Sequence, residues 1–278
     1  MIVKMLLINS FIDGLFTGGQ SLVVILHQRS QAHLLQALAW ELKAPVTAYV
    51  LPHQERFAVR YFTAAGEQKS GGYAALAAAK ALYFVGLAPP DQPLYLEGQS
   101  GQVMIHPSAD PAGEMSLILP PVQAEPPLLD WAKNPPAGLA QDRVLSLMTV
   151  GPYHLICLAE KPAESLSTTA AAWPLRESRL IFSWPMDGAG YELRCFGAAG
   201  EEAELPVDLD FHAALTRFWG RHLNRTRLVI HHLAKRQALL RAELKDETVE
   251  LTGQLQIVYK AAPALYERTE DNPPDDSF

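Results

Sequence analysis

Apolar and polar positions in the first part of the chain alternate between helical and strand spacing. A helix is predicted first, capped by Ser30 and ended by Ala44-Pro45, because serine favours helix N-caps and proline cannot continue a helix. Its apolar face is made of leucines at helical spacing: Leu34, Leu35, Leu38 and Leu42. Runs typical of strands follow at Val46–Leu51 and Phe57–Thr63.

The segment Tyr73–Val85 is apolar on every face except at Lys80. A helix that is apolar all round must be buried, so this pattern predicts a central helix surrounded by sheet. The second half repeats the order with a strand at Tyr191–Phe196 and a helix that starts near Asp210. The inward positions of that helix are predicted to be Phe211, Ala214, Leu215, Phe218 and Trp219. Alternating strands complete the second half at Thr226–His231, Leu239–Leu244, Thr248–Leu251 and Leu255–Tyr259.

An internal repeat connects the two halves. The segment Arg60–Glu67 matches Arg194–Glu201, 134 residues downstream, at six of eight positions. A second pair of matching words, Tyr73–Leu76 and His212–Leu215, follows in the same order. The sequence therefore predicts an α+β protein of two similar domains, each a curved, mostly antiparallel sheet rolled around a central buried helix.

The predicted boundaries follow the composition. Residues 1–120 form the N-terminal half and residues 141–262 the C-terminal half, joined by a proline-rich linker over 121–140. Residues 263–278 form an acidic tail that offers little to bury and is expected to be mobile.

Composition and charge exclude several classes of function. The chain is 49% hydrophobic, which is enough for a core and too much for disorder. A net charge of −7 without a basic run argues against a nucleic-acid surface or a polybasic membrane patch. Cys157 and Cys195 have no zinc-ligand spacing, and both are expected in the core. The two unpaired cysteine positions favour a reduced, cytoplasmic protein without a metal. No stretch is long and apolar enough to span a membrane.

Several short sequence motifs in this chain resemble those of the PhzF-like phenazine-biosynthesis isomerase family, in the same order across about residues 4 to 262. They are Asn9-Ser-Phe11 with Phe16-Thr-Gly18, Thr47–Val50, Gly72–Ala79, Tyr95-Leu-Glu97 with Gly101, and Arg194-Cys-Phe196 with Glu204–Val207. The resemblance implies the diaminopimelate-epimerase-like fold. It also implies an active site in the cleft between the two domains, at the N-termini of the two central helices.

The positions that carry the chemistry depart from the family's pattern. In the family, the strand word Ser-Glu-Thr-Ala supplies the principal acid/base, and here Val46 stands in place of its glutamate. The helix word normally begins Gly-His, whereas Gly72 is followed here by Tyr73. The third word normally contains Glu-Asp-Pro, and here Leu205 replaces the aspartate. Valine and leucine cannot exchange protons, and tyrosine, with a pKa near 10, is a poor base at neutral pH.

The expected ligand-binding end has changed as well. The family's Thr-Gly-Ser turn offers amide groups to a carboxylate, and here Asp208 and Asp210 stand at that helix start. Aspartate is also an ordinary N-cap, and a resident carboxylate repels an acidic substrate. Gly71-Gly72 remains a candidate anion cradle, and His212 a candidate cleft residue, although a first-turn histidine is usually partly exposed.

Other polar residues have ordinary explanations. His231 and His232 point to opposite sides of a strand, so at most one faces inward. The carboxylates that could replace the missing base are all expected to be exposed: Glu41, Glu55 and Glu204.

Three functions remain open from the sequence. The first is a diverged family member, acting as a homodimer without cofactor, that has lost the proton-shuttle chemistry and binds a small metabolite or a partner through the interdomain cleft. The second is a cofactor-independent isomerase or epimerase with relocated groups, namely Tyr73, Asp208, Asp210 and His212. The third is a structural or regulatory dimerisation partner that binds no ligand.

Overall fold

A computed structural model describes residues 2–53, 56–107, 113–126, 141–162, 166, 179–197 and 209–262. Over these residues the chain forms three α-helices: α1 Ala32–Leu42, α2 Tyr73–Phe84 and α3 Asp210–His222. The strands of the first half are β1 Ile2–Ser10, β2 Gly19–Leu26, β3 Val46–His53, β4 Arg56–Thr63, β5 Gly66–Gln68, β6 Leu94–Gly98, β7 Gly101–Pro107 and β8 Glu114–Leu119. Those of the second half are β9 Val144–Val150, β10 Tyr153–Leu158, β11 Arg179–Met186, β12 Gly190–Phe196, β13 Arg227–His232, β14 Ala238–Lys245 and β15 Thr248–Ala261.

Contacts divide the described residues into two compact units. Unit 1 contains the residues up to Ile118 and those from Thr252 onward, and unit 2 contains Leu119–Leu251. The strand β15 therefore starts in unit 2 and ends in unit 1. The sequence predicted two strands here, Thr248–Leu251 and Leu255–Tyr259, and this was wrong because no turn interrupts the pairing of β15.

The sheet of unit 1 closes around α2. Its strands are ordered β15-β1-β2-β3-β4-β6-β7-β8, and β8 pairs with β15 again. The helix α2 contacts β1, β2, β3, β6 and β7, and nine of its twelve residues are buried. This confirms the prediction that the apolar segment from Tyr73 is a central helix wrapped by sheet. None of the described helices is long and apolar enough to cross a membrane.

A second layer covers the outside of the same sheet. Leu35 and Ala39 of α1 pack on Leu22 of β2 and on Tyr49 and Phe62 of the next two strands. Because β2 is covered on both faces, its residues form a continuous apolar run without the alternation of a half-exposed strand.

The helix α1 differs in detail from its sequence prediction. It is preceded by Gln31 instead of Ser30, and no side chain caps it. Leu34 is exposed, because only the stripe that contains Leu35 and Ala39 faces the sheet. The helix ends where Lys43 adopts a left-handed conformation, two residues before Pro45.

Unit 2 repeats this topology. Its strands follow the order β9-β10-β11-β12-β13-β14-β15, and α3 contacts β9, β10, β12, β13 and β14. Parallel pairs occur at the same places in both units, β2–β3 and β4–β6 in unit 1, β10–β11 and β12–β13 in unit 2.

The repeated sequence word has the same contacts in both units. Arg60 lies 5.3 Å from the ring centroid of Phe62, and Arg194 lies 5.1 Å from that of Phe196. Each phenylalanine also meets an aromatic ring of the neighbouring strand edge-on, Tyr49 in unit 1 and Phe182 in unit 2. These matched contacts confirm the prediction of two similar domains.

Candidate functional site

The start of α2 is a glycine turn held by internal hydrogen bonds. Gly72 has φ of 50°, a left-handed conformation that favours glycine. The amides of Ala74 and Ala75 donate to the carbonyls of Gly71 and Gly72, and the Gly72 amide donates to Ser70 Oγ at 3.4 Å. The amides of Gly72, Ala74 and Ala75, at the candidate anion site, therefore already have acceptors within the turn.

The glycine at position 71 is required by packing. A Cβ placed there would stand 2.1–2.3 Å from three ring atoms of Tyr61. Tyr61 lies on the inner face of β4, and its hydroxyl is buried without a hydrogen-bond partner. Burial raises the pKa of this phenol. Sequence reasoning missed Tyr61, whose place in the repeat suggested only a strand position.

Tyr73 occupies the first turn of α2 and is buried. Its hydroxyl donates to the carbonyl of Gln20 at 3.4 Å, and its own carbonyl accepts a hydrogen bond from Ser10 Oγ at 3.4 Å. The phenol is therefore tied to the backbone of β2, with its ring against the strands that surround α2.

Val46 begins β3, next to Ser21 of β2 in the parallel register. The Ser21 hydroxyl is fully buried and has no hydrogen-bond partner. Five side chains in this region supply an alkyl group and hydroxyls: Val46, Ser10, Ser21, Tyr61 and Tyr73. Among these described side chains, none is a carboxylate or an imidazole.

The corresponding helix of unit 2 starts beside two buried histidines. His212, in the first turn of α3, is fully buried, so the expectation of partial exposure was wrong. Both of its ring nitrogens lack hydrogen-bond partners. Burial, and then the proximity of His232, lower the pKa of His212 to about 3, and burial lowers that of His232 to about 4. Both imidazoles are neutral at physiological pH.

His232 ends β13 and faces inward, while His231 is only half-buried. This agrees with the prediction that at most one of the two points to the core. The backbone sets this arrangement, because β13 pairs in parallel with β12 and places His232 beside Leu193.

The core of unit 2 contains a chain of buried polar side chains beneath α3. Trp219 Nε1 donates to Ser183 Oγ at 3.1 Å, and this hydroxyl donates to Cys157 Sγ at 3.6 Å. The hydroxyls of Tyr191 and Thr216 lie 3.0 Å apart. Burial raises the pKa of the Cys157 thiol to about 12. Cys157 and Cys195 are both buried, which confirms their predicted place in the core.

Several predicted positions lie outside the described residues. They include Leu205, Asp208 and Glu204, as well as Glu55, residues 127–140 of the linker and the tail 263–278. Asp210 is the first residue of α3, and Glu41, one of the substitute carboxylates, is exposed as expected.

The described residues offer hydroxyls and neutral imidazoles at the two helix starts. Within the described ranges, no group of three or more His, Cys, Asp or Glu side chains is placed to hold a metal ion. The hydroxyls and imidazoles at the helix starts can donate and accept hydrogen bonds. Burial raises the pKa of Tyr61 and lowers those of His212 and His232, which moves all three away from neutral pH, where proton transfer is most efficient.

Two topologically matched units, each with a curved sheet around a buried helix, define the diaminopimelate-epimerase-like fold. Among solved structures, the chain superimposes on a phenazine biosynthesis PhzC/PhzF protein of Clostridium difficile with a TM-score of 0.78 at 20% identity, covering 95% of this chain and 100% of the other. A PhzF-family protein of Enterococcus faecalis gives the same TM-score and coverages at 22% identity. A hydroxyproline epimerase of Agrobacterium vitis gives a TM-score of 0.62 at 11% identity, over 94% and 92% of the two chains.

The chain belongs to the PhzC-PhzF family, described as phenazine biosynthesis-like protein, whose model matches residues 8–261. An uncharacterized isomerase of Halalkalibacterium halodurans is 24% identical over 271 residues, covering 94% of this chain and 98% of that protein. An uncharacterized isomerase of Pseudomonas aeruginosa is 25% identical over 265 residues, covering 90% and 94% of the two proteins. These findings confirm the family that the sequence words indicated.

Proposed function

We propose that this chain is a diverged PhzF-like protein that lacks the proton-shuttle chemistry of an isomerase and binds a small metabolite at the starts of α2 and α3. The observation that carries this proposal is the start of α2. Val46 and Tyr73 stand where the family's motifs have a carboxylate and an imidazole, and the nearby polar side chains Ser10, Ser21 and Tyr61 add only hydroxyls.

The energetic reason lies in proton transfer. A positioned general acid or base contributes about 10²–10⁴ in rate, and it works best with a pKa near the working pH. Val46 does not titrate, and a phenol is a poor base at neutral pH. His212, with a pKa of about 3, is too weak a base to remove a proton from carbon at a useful rate.

One observation favours an alternative in which isomerase activity is retained through relocated groups. Both nitrogens of the buried His212 are unpartnered and its imidazole is neutral, so neither nitrogen is committed to a hydrogen bond within the protein. In this alternative the partner acids are Tyr73, Asp208 and Asp210.

Hydrogen exchange at carbon separates these functions. The protein is incubated in heavy water with a panel of small amino acids and hydroxy acids, and deuterium incorporation is followed by mass spectrometry. We expect no exchange above background, while a thermal-shift screen of the same panel finds at least one compound that raises the melting temperature. Exchange by the unmodified protein that is lost in Tyr73→Phe or His212→Asn would establish the relocated isomerase instead.

The thermal-shift screen also tests the third function. If no small molecule shifts the melting temperature while sedimentation shows a stable dimer, the chain is a dimerisation partner without a ligand. The homodimer stays a prediction until sedimentation is measured, and the cytoplasmic location is a separate prediction.

A further inference from the structure

Two cavities lie at the C-terminal end of α3 in unit 2, and the side chain of Arg221 lines both of them. The first, of about 630 Å³, is also lined by Phe218 and His222, and the second, of about 540 Å³, by Arg225 and Arg227. Both volumes fall in the range of about 300–1,000 Å³ that is usual for small-molecule sites. No acidic side chain is among the described lining residues of either cavity.

The arginines at this end of the helix are accessible to solvent. Arg221 and Arg225 are exposed, and among the described residues neither of their side chains has an ion-pair partner. Arg227 is exposed as well, but it pairs with Glu243 at 2.9 Å, so its charge is partly neutralised. The guanidinium groups of Arg221 and Arg225 can therefore be reached by an anion from water.

The positive charge is concentrated in this part of the chain. Residues 217–245 contain eight lysines and arginines and one acidic residue, Glu243, whereas the whole chain has 23 basic and 30 acidic residues. The net charge of −7 therefore does not describe the electrostatic potential near the end of α3. An anion is attracted there although the protein as a whole is acidic.

The backbone at the end of α3 offers little opposition to an anion. The last carbonyl groups of a helix carry partial negative charge, equivalent in total to about half an elementary charge. Here the carbonyls of residues 219–221 accept hydrogen bonds of 2.8–3.3 Å from the amides of residues 223–225. The two full positive charges of Arg221 and Arg225 exceed what remains of the helix dipole.

The first cavity has an aromatic wall. The ring centroids of Phe218 and His222 lie 5.8 Å apart, and the two planes are 9° from parallel. Phe218 was predicted to point into the core, but it is only half-buried and lines the cavity. Met148 and Val122 add apolar surface. Aromatic side chains stack on planar heterocycles, and such stacking tolerates different bases because every base has a π-face.

We propose that these two cavities together bind an organic phosphate that carries a planar heterocycle, a ligand of the mononucleotide class. The heterocycle packs against the wall of Phe218 and His222, and the phosphate oxygens accept hydrogen bonds from Arg221 and Arg225. Arginine suits this role because its planar fork matches the oxygen spacing of a phosphate group. The site lies at the other end of α3 from His212, so it does not depend on the metabolite site at the helix starts.

The test uses AMP as the probe, with adenosine as the ligand without phosphate and ribose 5-phosphate as the ligand without a base. Binding to the full chain is measured by isothermal titration calorimetry. We expect saturable binding of AMP, and binding of adenosine and of ribose 5-phosphate that is weaker by about tenfold or more. The affinity for AMP should fall as salt is added, because exposed charges are screened.

Two kinds of variant separate the phosphate end of the site from the base end. Arg221→Gln and Arg225→Gln should each weaken binding of AMP and of ribose 5-phosphate by about tenfold. His222→Ala should weaken binding of AMP only, because ribose 5-phosphate has no ring to stack. Arg56→Gln is the matched control, since Arg56 is an exposed arginine of unit 1 outside both cavities. It should bind AMP like the unmodified protein.

Three results would overturn the proposal. The first is failure of AMP to bind, including the case in which an oligonucleotide binds and AMP does not. The second is equal binding of ribose 5-phosphate and AMP, which would show an anion surface without a base site. The third is full-strength binding of AMP by the double variant Arg221→Gln, Arg225→Gln, above all if Tyr73→Phe abolishes it, since AMP would then occupy the start of α2. The replaced side chains are exposed, so the variants should melt within about 4 °C of the unmodified protein.

Discussion

Replacing Gly71 by alanine tests how the start of α2 is held. The new Cβ would stand 2.1–2.3 Å from the ring of Tyr61, whereas ordinary contact begins near 3.4 Å. The ring would have to move by about 1 Å inside a packed core, and a gap or overlap of that size lowers the stability of the fold. Gly71 does not have positive φ, so the cost is steric and not conformational.

Overpacking of this kind typically costs about 1–3 kcal/mol. At roughly 2–4 °C per kcal/mol for a chain of this size, the melting temperature of Gly71→Ala should fall by about 2–12 °C. Differential scanning calorimetry measures this change. Gly98→Ala is the matched control, because a Cβ there would lie 3.7 Å from the same ring, in ordinary contact.

A double-mutant cycle assigns the cost to the Tyr61 ring. In a Tyr61→Leu background the ring atoms that meet the new Cβ are gone, so Gly71→Ala should cost less than about 0.5 kcal/mol. The predicted clash would be refuted if the melting temperature of Gly71→Ala lay within about 1 °C of that of the unmodified protein. Equal losses in the two backgrounds would show that Tyr61 is not its source.

Three further predictions concern buried polar groups. Tyr61→Phe should leave the free energy of unfolding in urea unchanged or raise it by about 1 kcal/mol, because the deleted hydroxyl has no partner. The free energy of unfolding should fall as the pH drops below about 6.5, by up to about 1.4 kcal/mol per pH unit for each of His212 and His232. In the folded protein their pKa values are about 3 and about 4, so between these values and pH 6.5 only the unfolded chain binds the protons. Cys157, whose thiol has a pKa near 12 through burial, should react with a thiol reagent only as the protein unfolds, so its labelling rate should follow the unfolding rate.

Each of these has a control and a contrary result. Tyr259→Phe alters an exposed tyrosine and should change stability little, and a loss of more than about 1 kcal/mol in Tyr61→Phe would show that its hydroxyl has a partner. Replacing His232 by asparagine should reduce the acid slope of stability, whereas His33→Gln, at an exposed site, should not. Labelling of Cys157 in the native state, at a rate independent of denaturant, would contradict its burial.

Much of the site could not be predicted from sequence because its geometry depends on distant partners. The words around Gly71 and Tyr73 located the start of α2, and the repeat located the start of α3. The contact of Gly71 with Tyr61 and the complete burial of His212 depend on strand pairing across many residues. A local pattern cannot show that a phenol or an imidazole loses all its partners, since that requires the positions of every neighbouring group.

The sequence alone determined the two central helices, the duplication and the residue types at the starts of these helices. Local apolar spacing and a repeated word encode these features directly, as the matched contacts of Phe62 and Phe196 show. Only the tertiary structure decided that β15 pairs in both units, that His212 and His232 share a buried site, and that exposed arginines and aromatic rings line the two cavities at the end of α3. These outcomes arise from long-range packing, which brings together groups far apart in the chain and decides whether each buried donor finds an acceptor.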